Sequence, residues 1–384
     1  MSSLLTSVLV LLLVILEGLK TTGASCDCSA LTCRCEGLSL TSIPQDLPTS
    51  ITSLHVEYNN LTSLQIQDFS RYRNLSSLFL PDNRLFTIGS RAFYHLTNLT
   101  SIDLRWNKLT CLQTDTFVGL GSLRALNIDY NDIKSIEEGT FRECPRLVHL
   151  LLGSNRLASI SPGSFTGLNQ LELLDLFSNQ ITYIQPGTFS NLPQLKHLYL
   201  YQNGITHIHP DTFSHLSQLQ LLSLFSNKIA EIQSGTFTDL PKLEELDLDF
   251  NYITNIQAGA FSNLPRLEYL GLGHNQMEIL PLTICHELSS VPTLILNNNP
   301  WQCDCRIVSL NLHTQICGSC SPEIVNQITC TNPGGFQGQK LRDINVTVLN
   351  CTELGRPNSA TGQQGHCPYL YVFHLLLSVI LMET

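Results

Sequence analysis

The chain lacks the motifs that usually carry enzymatic chemistry. Its 384 residues contain no glycine-rich phosphate loop, no His-Glu-x-x-His and no Gly-x-Ser-x-Gly sequence. The histidines are scattered, and His207 and His209, which flank a single isoleucine, are too isolated to suggest a metal site. The sequence therefore predicts a protein that is not an enzyme and that has no cofactor and no bound metal.

Positive charge is also scarce. There are 21 lysines and arginines against 31 aspartates and glutamates, so the formal net charge is −10, and no basic run interrupts the chain. Nucleic acids and anionic lipid surfaces select clustered basic residues. We therefore expect neither of them as a partner.

Long apolar runs are missing as well. The mostly apolar stretch from Leu4 to Leu16 is too short to span a bilayer comfortably, and the small residues Thr22-Gly23-Ala24 follow it. This layout predicts a secretory signal peptide over residues 1–24, although no lysine or arginine precedes the apolar stretch. An N-terminal membrane anchor is the less favoured alternative.

The C-terminal segment has a comparable layout in reverse. The small residues Asn358-Ser359-Ala360 are followed by a polar spacer and then by a mostly apolar end, Tyr369 to Met382. Small residues, a spacer and a short apolar tail are typical of a GPI attachment signal. We expect residues 353–384 to be a linker and such a signal, with attachment at Asn358 or Ser359. A single-pass helix is the alternative.

What the chain has in abundance is repetition. Each repeat carries Leu-x-x-Leu-x-Leu-x-x-Asn-x-Leu or a close variant, which is the leucine-rich-repeat pattern, and a fixed period of this kind predicts a solenoid. The asparagines recur every 24 residues as Asn59, Asn83, Asn107, Asn131, Asn155, Asn179, Asn203, Asn227, Asn251, Asn275 and Asn299. We assign residues 51–298 to these repeats.

The physical chemistry of the repeat predicts its local structure. The Leu-x-Leu alternation has a period of two, so each repeat should contribute a strand of three to five residues with its leucines pointing inward. Each buried asparagine amide should bond to backbone groups of neighbouring turns, since a buried amide without partners is costly. Phenylalanine ten residues after most of the asparagines, such as Phe93 and Phe117, should fill the other side of the core.

Fourteen cysteines, in a chain with a predicted signal peptide, indicate an oxidising compartment and disulfide bonds rather than zinc sites. Ten of them cluster in two predicted caps, residues 25–50 and 299–352. Four cysteines allow three pairings, and for the first cap we prefer Cys26–Cys33 with Cys28–Cys35. For the second cap we prefer Cys303–Cys330 with Cys305–Cys351, and we leave Cys317 and Cys320 open. Cys144 and Cys285 are predicted to be buried thiols, and Cys111 to point outward.

Glycosylation and binding are expected on different faces. Glycosylation sequons begin at Asn60, Asn74, Asn98, Asn345 and Asn350. The residues four, two and one positions before each repeat asparagine should point out of the sheet on its concave face, and they are unusually aromatic and acidic. The candidate ligand-binding residues among them are Trp106, Tyr130, Phe177, Tyr199, Tyr201, Phe225, Asp247, Asp249 and Phe250. An idle solvated face is the alternative.

The caps and repeats together resemble the variable lymphocyte receptors, a family of extracellular leucine-rich-repeat receptors. The motifs that carry this resemblance are Cys26-x-Cys28-x6-Cys35, Leu40-Thr41-Ser42-Ile43-Pro44 and Asn299-Pro300-Trp301-x-Cys303-x-Cys305, with Cys330 and Cys351 behind them. The resemblance implies an α/β solenoid, a horseshoe with a concave parallel β-sheet between disulfide-stapled caps. It also implies a glycoprotein that is GPI-anchored at the plasma membrane or secreted.

The same resemblance implies a function in innate or antigen-specific immunity. A receptor of this kind binds antigen or microbial surface ligands, glycan or protein, through the concave sheet. The GPI-anchored adhesion or neuronal receptors of the Nogo-receptor type share the layout and bind protein ligands, so they are the alternative. The identity of the ligand and the oligomeric state stay open at the level of sequence.

Overall fold

A computed structural model describes residues 25–304, 307, 322–332 and 334–344. Outside these residues lie the predicted signal peptide and GPI signal, Asn345 and Asn350, and the pairing of Cys305 with Cys351. Contacts divide the chain into two compact units, which are described separately. Unit 1 takes in the described residues up to Arg156 together with Thr166–Leu168, and unit 2 takes in Leu157–Phe165 and the described residues from Asn169 onward. In the described ranges no helix is long and apolar enough to cross a membrane.

The main elements of unit 1 are three-residue strands. Two of them, β1 and β2, come from the first cap and five come from the repeats. The strands are β1 (Asp27–Ser29), β2 (Thr32–Arg34), β3 (Ser53–His55), β5 (Ser77–Phe79), β7 (Ser101–Asp103), β9 (Ala125–Asn127) and β11 (His149–Leu151). All neighbours pair in parallel except β1 with β2, which form an antiparallel hairpin.

Unit 2 repeats the arrangement with six parallel strands. They are β13 (Leu173–Asp175), β15 (His197–Tyr199), β16 (Leu221–Ser223), β18 (Glu245–Asp247), β20 (Tyr269–Gly271) and β21 (Thr293–Ile295). The repeats of the two units thus supply eleven described strands of three residues, which confirms the strand length and the number of turns predicted from the repeat. The fold is a parallel-sheet leucine-rich-repeat solenoid with few helices.

The other side of each turn is built from short elements. Two-residue parallel strands are β4 (Ser63–Leu64), β6 (Thr87–Ile88), β8 (Cys111–Leu112), β10 (Ser135–Ile136), β12 (Ser159–Ile160), β14 (Tyr183–Ile184), β17 (Glu231–Ile232) and β19 (Asn255–Ile256). Among the described residues the helices are α1 (Leu282–Leu288) and α2 (Pro322–Gln327). Short 3-10 helices lie at Ile66–Phe69 and Pro210–Thr212 in the repeats and at Gly334–Phe336 and Leu341–Asp343 in the second cap.

The core follows from the register of the strands. Equivalent residues of neighbouring repeats pair directly, as Leu198 does with Leu222, so the inward leucines form rows that exclude water. The predicted phenylalanines form a second buried row, in which the Phe213 and Phe237 rings stack with centroids 5.9 Å apart. One turn alone cannot bury its apolar side, and stacking of turns supplies the missing cover.

The repeat asparagines form the expected ladder. In unit 2, Asn227 donates from Nδ2 to the carbonyl oxygens of Leu200 at 2.9 Å and Leu224 at 3.0 Å. Its Oδ1 accepts from the backbone amide of Ile205 at 3.1 Å. Asn83 makes the same bonds in unit 1, where its Oδ1 accepts from Leu61. The prediction that these side chains join neighbouring turns is confirmed.

The predicted pairing in the first cap is wrong. The structure joins Cys28 to Cys33 and Cys26 to Cys35. The reason is the β1–β2 hairpin, whose antiparallel register places Cys28 directly opposite Cys33. The same register places Cys26 opposite Cys35, two residues from the first pair. The cysteines of the preferred pairs, Cys26–Cys33 and Cys28–Cys35, do not lie opposite each other in the hairpin.

The second cap gives a mixed outcome. Cys303 is bonded to Cys330, as predicted. Cys285 is not a free thiol, because it is disulfide-bonded from within helix α1, and its partner lies outside the described residues. The prediction of a free thiol at Cys285 is therefore wrong, although the residue is buried as predicted. Cys144 is a buried free thiol and Cys111 an exposed one, as the repeat pattern indicates.

Candidate ligand-binding surface

Four outward positions in unit 2 lie in register on adjacent strands, and two of them, Tyr199 and Asp247, are predicted site residues. Asp175 pairs with Tyr199, Tyr199 with Ser223, and Ser223 with Asp247. These side chains point away from the core because the residue before each of them is a buried leucine. The strands thus hold a line of carboxylates and hydroxyls at a fixed spacing, about 4.8 Å from one strand to the next.

A second line runs beside it, two residues further along each repeat. The rings of Phe177 and Tyr201 stack with centroids 5.1 Å apart and planes at 14°. Tyr199 meets Tyr201 edge to face at 6.2 Å. The Phe225 ring lies against Phe250 at 5.0 Å. We call these two lines, residues 175, 177, 199, 201, 223, 225, 247 and 249, the unit-2 face.

The aromatic residues of the unit-2 face are less exposed than the sequence indicates. Phe177, Tyr199, Tyr201 and Phe225 are half-buried. Phe250, which lies beside the face and directly precedes Asn251, exposes 46% of its surface. Because the rings pack on one another, each presents only part of its face or edge to solvent. A surface of this kind is already ordered before a ligand arrives, so it loses little conformational entropy on binding.

The aspartates of this face are tied to the backbone through one oxygen each. Oδ1 of Asp175 accepts from the amide of Phe177, and Oδ1 of Asp247 accepts from the amide of Asp249, both at 3.0 Å. Burial raises the pKa of Asp175 to about 6. Burial also raises the pKa of Asp247 to about 6, and the charges of Asp249 and Glu245 act in the same direction.

Two glycines next to the unit-2 face were missed by the sequence reasoning. A Cβ atom on Gly271 would lie 2.8 Å from Oδ1 of Asp249 and 2.9 Å from Oδ1 of Asp247. On Gly273 it would lie 2.7 Å from Oδ1 of Asn297. Gly271 and Gly273 thus form a strip of backbone without side chains beside the carboxylates, which we call the glycine floor. The signal was present in the sequence, since both glycines occupy positions that elsewhere carry outward side chains.

Tyr269 is a further residue that the repeat pattern did not single out. It begins strand β20 and pairs with Glu245. Burial raises the pKa of its hydroxyl to about 12, and the carboxylates of Asp249, Asp247 and Glu245 reinforce the shift. The hydroxyl therefore stays protonated and can donate a hydrogen bond to a ligand at any physiological pH.

Trp106 and Tyr130 belong to unit 1 and occupy a different kind of position. Each directly precedes a repeat asparagine, beyond the end of its strand, and has a positive φ of 56° and 54° respectively. Their rings stack at 3.9 Å and 5°. With Tyr58 they line an open groove of about 580 Å³ that we call the unit-1 groove. The predicted site residues thus fall on two surfaces, one in each unit.

One predicted glycosylation site lies at this groove. Asn60 contributes to its lining, next to the exposed ring of Tyr58. Asn74 and Asn98 are exposed and precede strands β5 and β7, whereas Asn60 follows strand β3. A glycan on Asn60 would cover part of the unit-1 groove, so the expected separation of glycosylation sites from candidate binding residues does not hold for Trp106 and Tyr130.

Comparison with known proteins identifies the family. The leucine rich repeat family profile matches residues 49–109, 73–133, 123–181, 178–229, 226–277 and 241–300. These overlapping matches run from residue 49 to residue 300, which is more than half of the 384 residues. The chain belongs to the leucine-rich-repeat family.

Individual relatives match over short segments. Asporin of Bos taurus is 44% identical over 46 residues, which is 12% of this chain and 12% of asporin. Toll-like receptor 3 of Homo sapiens is 40% identical over 68 residues, which is 16% of this chain and 8% of that receptor. The matched segments therefore span only a small part of either relative.

Among solved structures, the similarity extends over most of the chain. One chain of the octameric complex of latrophilin 3, Unc5D and FLRT2, in which FLRT2 is the leucine-rich-repeat component, superposes with a TM-score of 0.73 at 28% identity. The superposition covers 85% of this chain and 98% of that one. This chain is thus similar in fold and extent to a component of an assembly of several proteins.

Proposed function

We propose that this protein is an extracellular recognition receptor that binds a protein or glycan ligand through the unit-2 face. The proposal rests on two adjacent rows of side chains. One row contains the aromatic residues Phe177, Tyr201 and Phe225, and the row beside it contains carboxylates and hydroxyls. Aromatic and polar groups in alternation on a rigid sheet are the composition of a binding surface.

The chemistry of the face limits what it can bind. Ring faces cover an apolar protein patch or stack on the apolar side of a sugar. Oδ2 of Asp175 and Asp247 accepts no hydrogen bond from the described residues, which leaves it for ligand hydroxyls, amides or basic groups. Asp249 uses Oδ1 in the same way, for the amide of Gly273. A ligand that offers donors beside an apolar surface fits this arrangement.

We propose an immune role of the variable-lymphocyte-receptor type as the first interpretation, with antigen or microbial surface molecules as ligands. Two stapled caps, repeats of constant length and side chains that change from repeat to repeat on the outward positions support it. The constant positions maintain the fold, while the variable ones are free to determine specificity. No catalytic step is part of the proposal.

An adhesion receptor is the second interpretation. It is supported by the extended similarity to a chain from the latrophilin 3, Unc5D and FLRT2 complex, which is covered over 98% of its length. A receptor of this type would bind another cell-surface protein. In both interpretations we propose that the protein is a glycoprotein of the cell exterior, attached by a GPI anchor or secreted.

The experiment that tests the proposal is a binding screen with a soluble form that ends at Thr352. It is applied to arrays of glycans, bacterial surfaces and cell-surface proteins, and each hit is repeated with the double variant Tyr201→Ala, Phe225→Ala. Binding to glycans or bacteria that the double variant loses supports the immune role. Binding to neuronal or matrix proteins alone favours the adhesion role. A ligand that the double variant binds as well as the parent overturns the proposed face.

A further inference from the structure

Three metal-ligating side chains meet at the start of the sheet in unit 1. One donor atom each from Glu36, His55 and Glu57 lies within 4.8 Å of the other two. The cause is the parallel register of strands β2 and β3, which pairs Arg34 with His55. Glu36 and Glu57, each two residues further along, therefore come side by side, and the amide of Gly37 donates to the Glu57 carbonyl oxygen at 3.0 Å.

One of the two carboxylate oxygens of Glu57 has no hydrogen-bond partner among the described residues. Its Oε1 lies 2.9 Å from Nδ1 of His55, but Oε2 is fully buried and bonds to no described residue. The whole side chain is only 13% exposed. A buried anionic oxygen without a partner is unfavourable, so the arrangement calls for a cation or donor from outside the chain.

The imidazole of His55 has a hydrogen-bonding partner on its second ring nitrogen, as metal-binding histidines usually do. Its Nε2 lies 3.2 Å from Oγ of Ser53, which fixes the ring and leaves Nδ1 directed at Glu57. The ring also stacks on Phe79, with centroids 4.4 Å apart. Hydrogen bonding of the second ring nitrogen is the usual support of a histidine ligand, because it selects the tautomer and the orientation.

We propose that Glu36, His55 and Glu57 bind a divalent transition-metal ion, with Zn²⁺ as the best match. One imidazole nitrogen and two carboxylate oxygens are a donor set for zinc, whereas Ca²⁺ and Mg²⁺ prefer oxygen ligands alone. Bonds of about 2.0–2.1 Å in a tetrahedral site place neighbouring donors about 3.3 Å apart, close to the present separation of Nδ1 and Oε1.

The remaining contact of the cluster does not oppose metal binding. Glu36 accepts a hydrogen bond from Nη1 of Arg34 at 2.9 Å, but both side chains are well exposed. An exposed ion pair contributes little to the stability of the fold. The Glu36 carboxylate can therefore leave Arg34 and bind the metal at a small cost in free energy. Three protein ligands leave a fourth position for water or for a carboxylate or imidazole of a bound partner.

The test is a zinc titration of the purified protein after removal of metals with a chelator. We expect one site, and a loss of zinc affinity of at least about 100-fold in Glu57→Gln and in His55→Gln. Ser53→Ala should lose about 10-fold, which is the usual effect of removing a group that orients a ligand. The matched control is His209→Gln, whose ring lies 3.6 Å from a single carboxylate, that of Asp211. It should bind zinc as the parent does.

Folding is checked separately by the melting temperature without metal, since Glu57→Gln preserves the shape of the side chain and its contact with His55. Zinc that raises the melting temperature of the parent and of His209→Gln, but not of Glu57→Gln, supports the proposal. It is overturned if the parent binds no zinc, or if a folded Glu57→Gln or His55→Gln variant keeps the parent's affinity. Neither result depends on finding the ligand of the unit-2 face.

Discussion

The amide of Gly273 donates a hydrogen bond to Oδ1 of Asp249 over 2.6 Å, which joins two adjacent repeats beside the unit-2 face. The same device occurs in unit 1, where the amide of Gly153 donates to Oδ1 of Asp129 at 2.6 Å. In both cases the aspartate lies two residues before its repeat asparagine and the glycine follows 24 residues later. One oxygen of Asp249 is therefore structural, and only the other can serve a ligand.

The glycine floor gives a prediction on stability. In Gly271→Ala the new Cβ atom would displace Oδ1 of Asp249 and Asp247, both of which accept backbone hydrogen bonds. The free energy of unfolding, measured with guanidinium, should fall by about 1–2 kcal/mol. Gly121→Ala is the matched control, because its Cβ would meet no atom within 4 Å. Equal stabilities of the two variants would contradict the contact.

The asparagine ladder predicts a larger effect. Asn227→Ala leaves the buried amide of Ile205 without its side-chain partner. The carbonyl oxygen of Leu200 loses one of its two side-chain donors and keeps only Nδ2 of Asn203. The free energy of unfolding should fall by about 2–4 kcal/mol, since an unsatisfied buried group costs about 1–3 kcal/mol and each lost hydrogen bond about 1 kcal/mol. The exposed Asn191 provides the control, and its replacement by alanine should change stability by less than about 0.5 kcal/mol.

Stability should increase on mild acidification. The pKa values of Asp175 and Asp247 are raised to about 6 in the folded protein, against about 3.9 for an unfolded aspartate. Between these values the folded state binds more protons, so the contribution of the two carboxyls to the unfolding free energy increases as the pH falls through 6. Asp247→Asn should reduce this pH dependence in chemical denaturation between pH 7.5 and 5. Asp211→Asn, which removes an exposed charge, should not.

The aromatic line gives the prediction on binding. Tyr201→Ala and Phe225→Ala should each weaken the ligand by about 1–3 kcal/mol, or roughly 5-fold to 150-fold, while the melting temperature changes little. Calorimetry or surface plasmon resonance measures the loss. Tyr252→Ala is the control, because this ring is 55% exposed but lies outside the unit-2 face. If Tyr252→Ala weakened binding more than Tyr201→Ala did, the ligand would lie elsewhere.

The predicted lipid anchor has a direct test. Phosphatidylinositol-specific phospholipase C should release the protein from cell surfaces, because the small residues Asn358, Ser359 and Ala360 precede a short apolar tail. Bulky replacements at Ser359 and Ala360 should abolish surface display. Retention after the enzyme treatment, with an intact C-terminus by mass spectrometry, would indicate a membrane-spanning segment instead.

Much of the fold could be predicted because equivalent positions of neighbouring repeats contact each other. The spacing of 24 residues predicts which leucines are neighbours, and the Leu198–Leu222 pair confirms this prediction. The Asn227 ladder and the stacked Phe213 and Phe237 follow from the same offset. The outward positions could be located in the same way, but their exposure could not, because it depends on how neighbouring rings such as Phe177 and Tyr201 pack on each other.

By itself, the sequence determined the solenoid, its strands and the chemical character of its outward side chains, since these depend on contacts at a constant offset. Only the tertiary structure decided the features that depend on an irregular partner. The β1–β2 hairpin selects Cys28–Cys33 over the pairing preferred from spacing. The junction of cap and first repeat brings Glu36 to His55 and Glu57, and no 24-residue period relates these residues. In the cap and at its junction with the first repeat, the local geometry of the backbone determines which side chains come into contact, because the 24-residue period does not extend there.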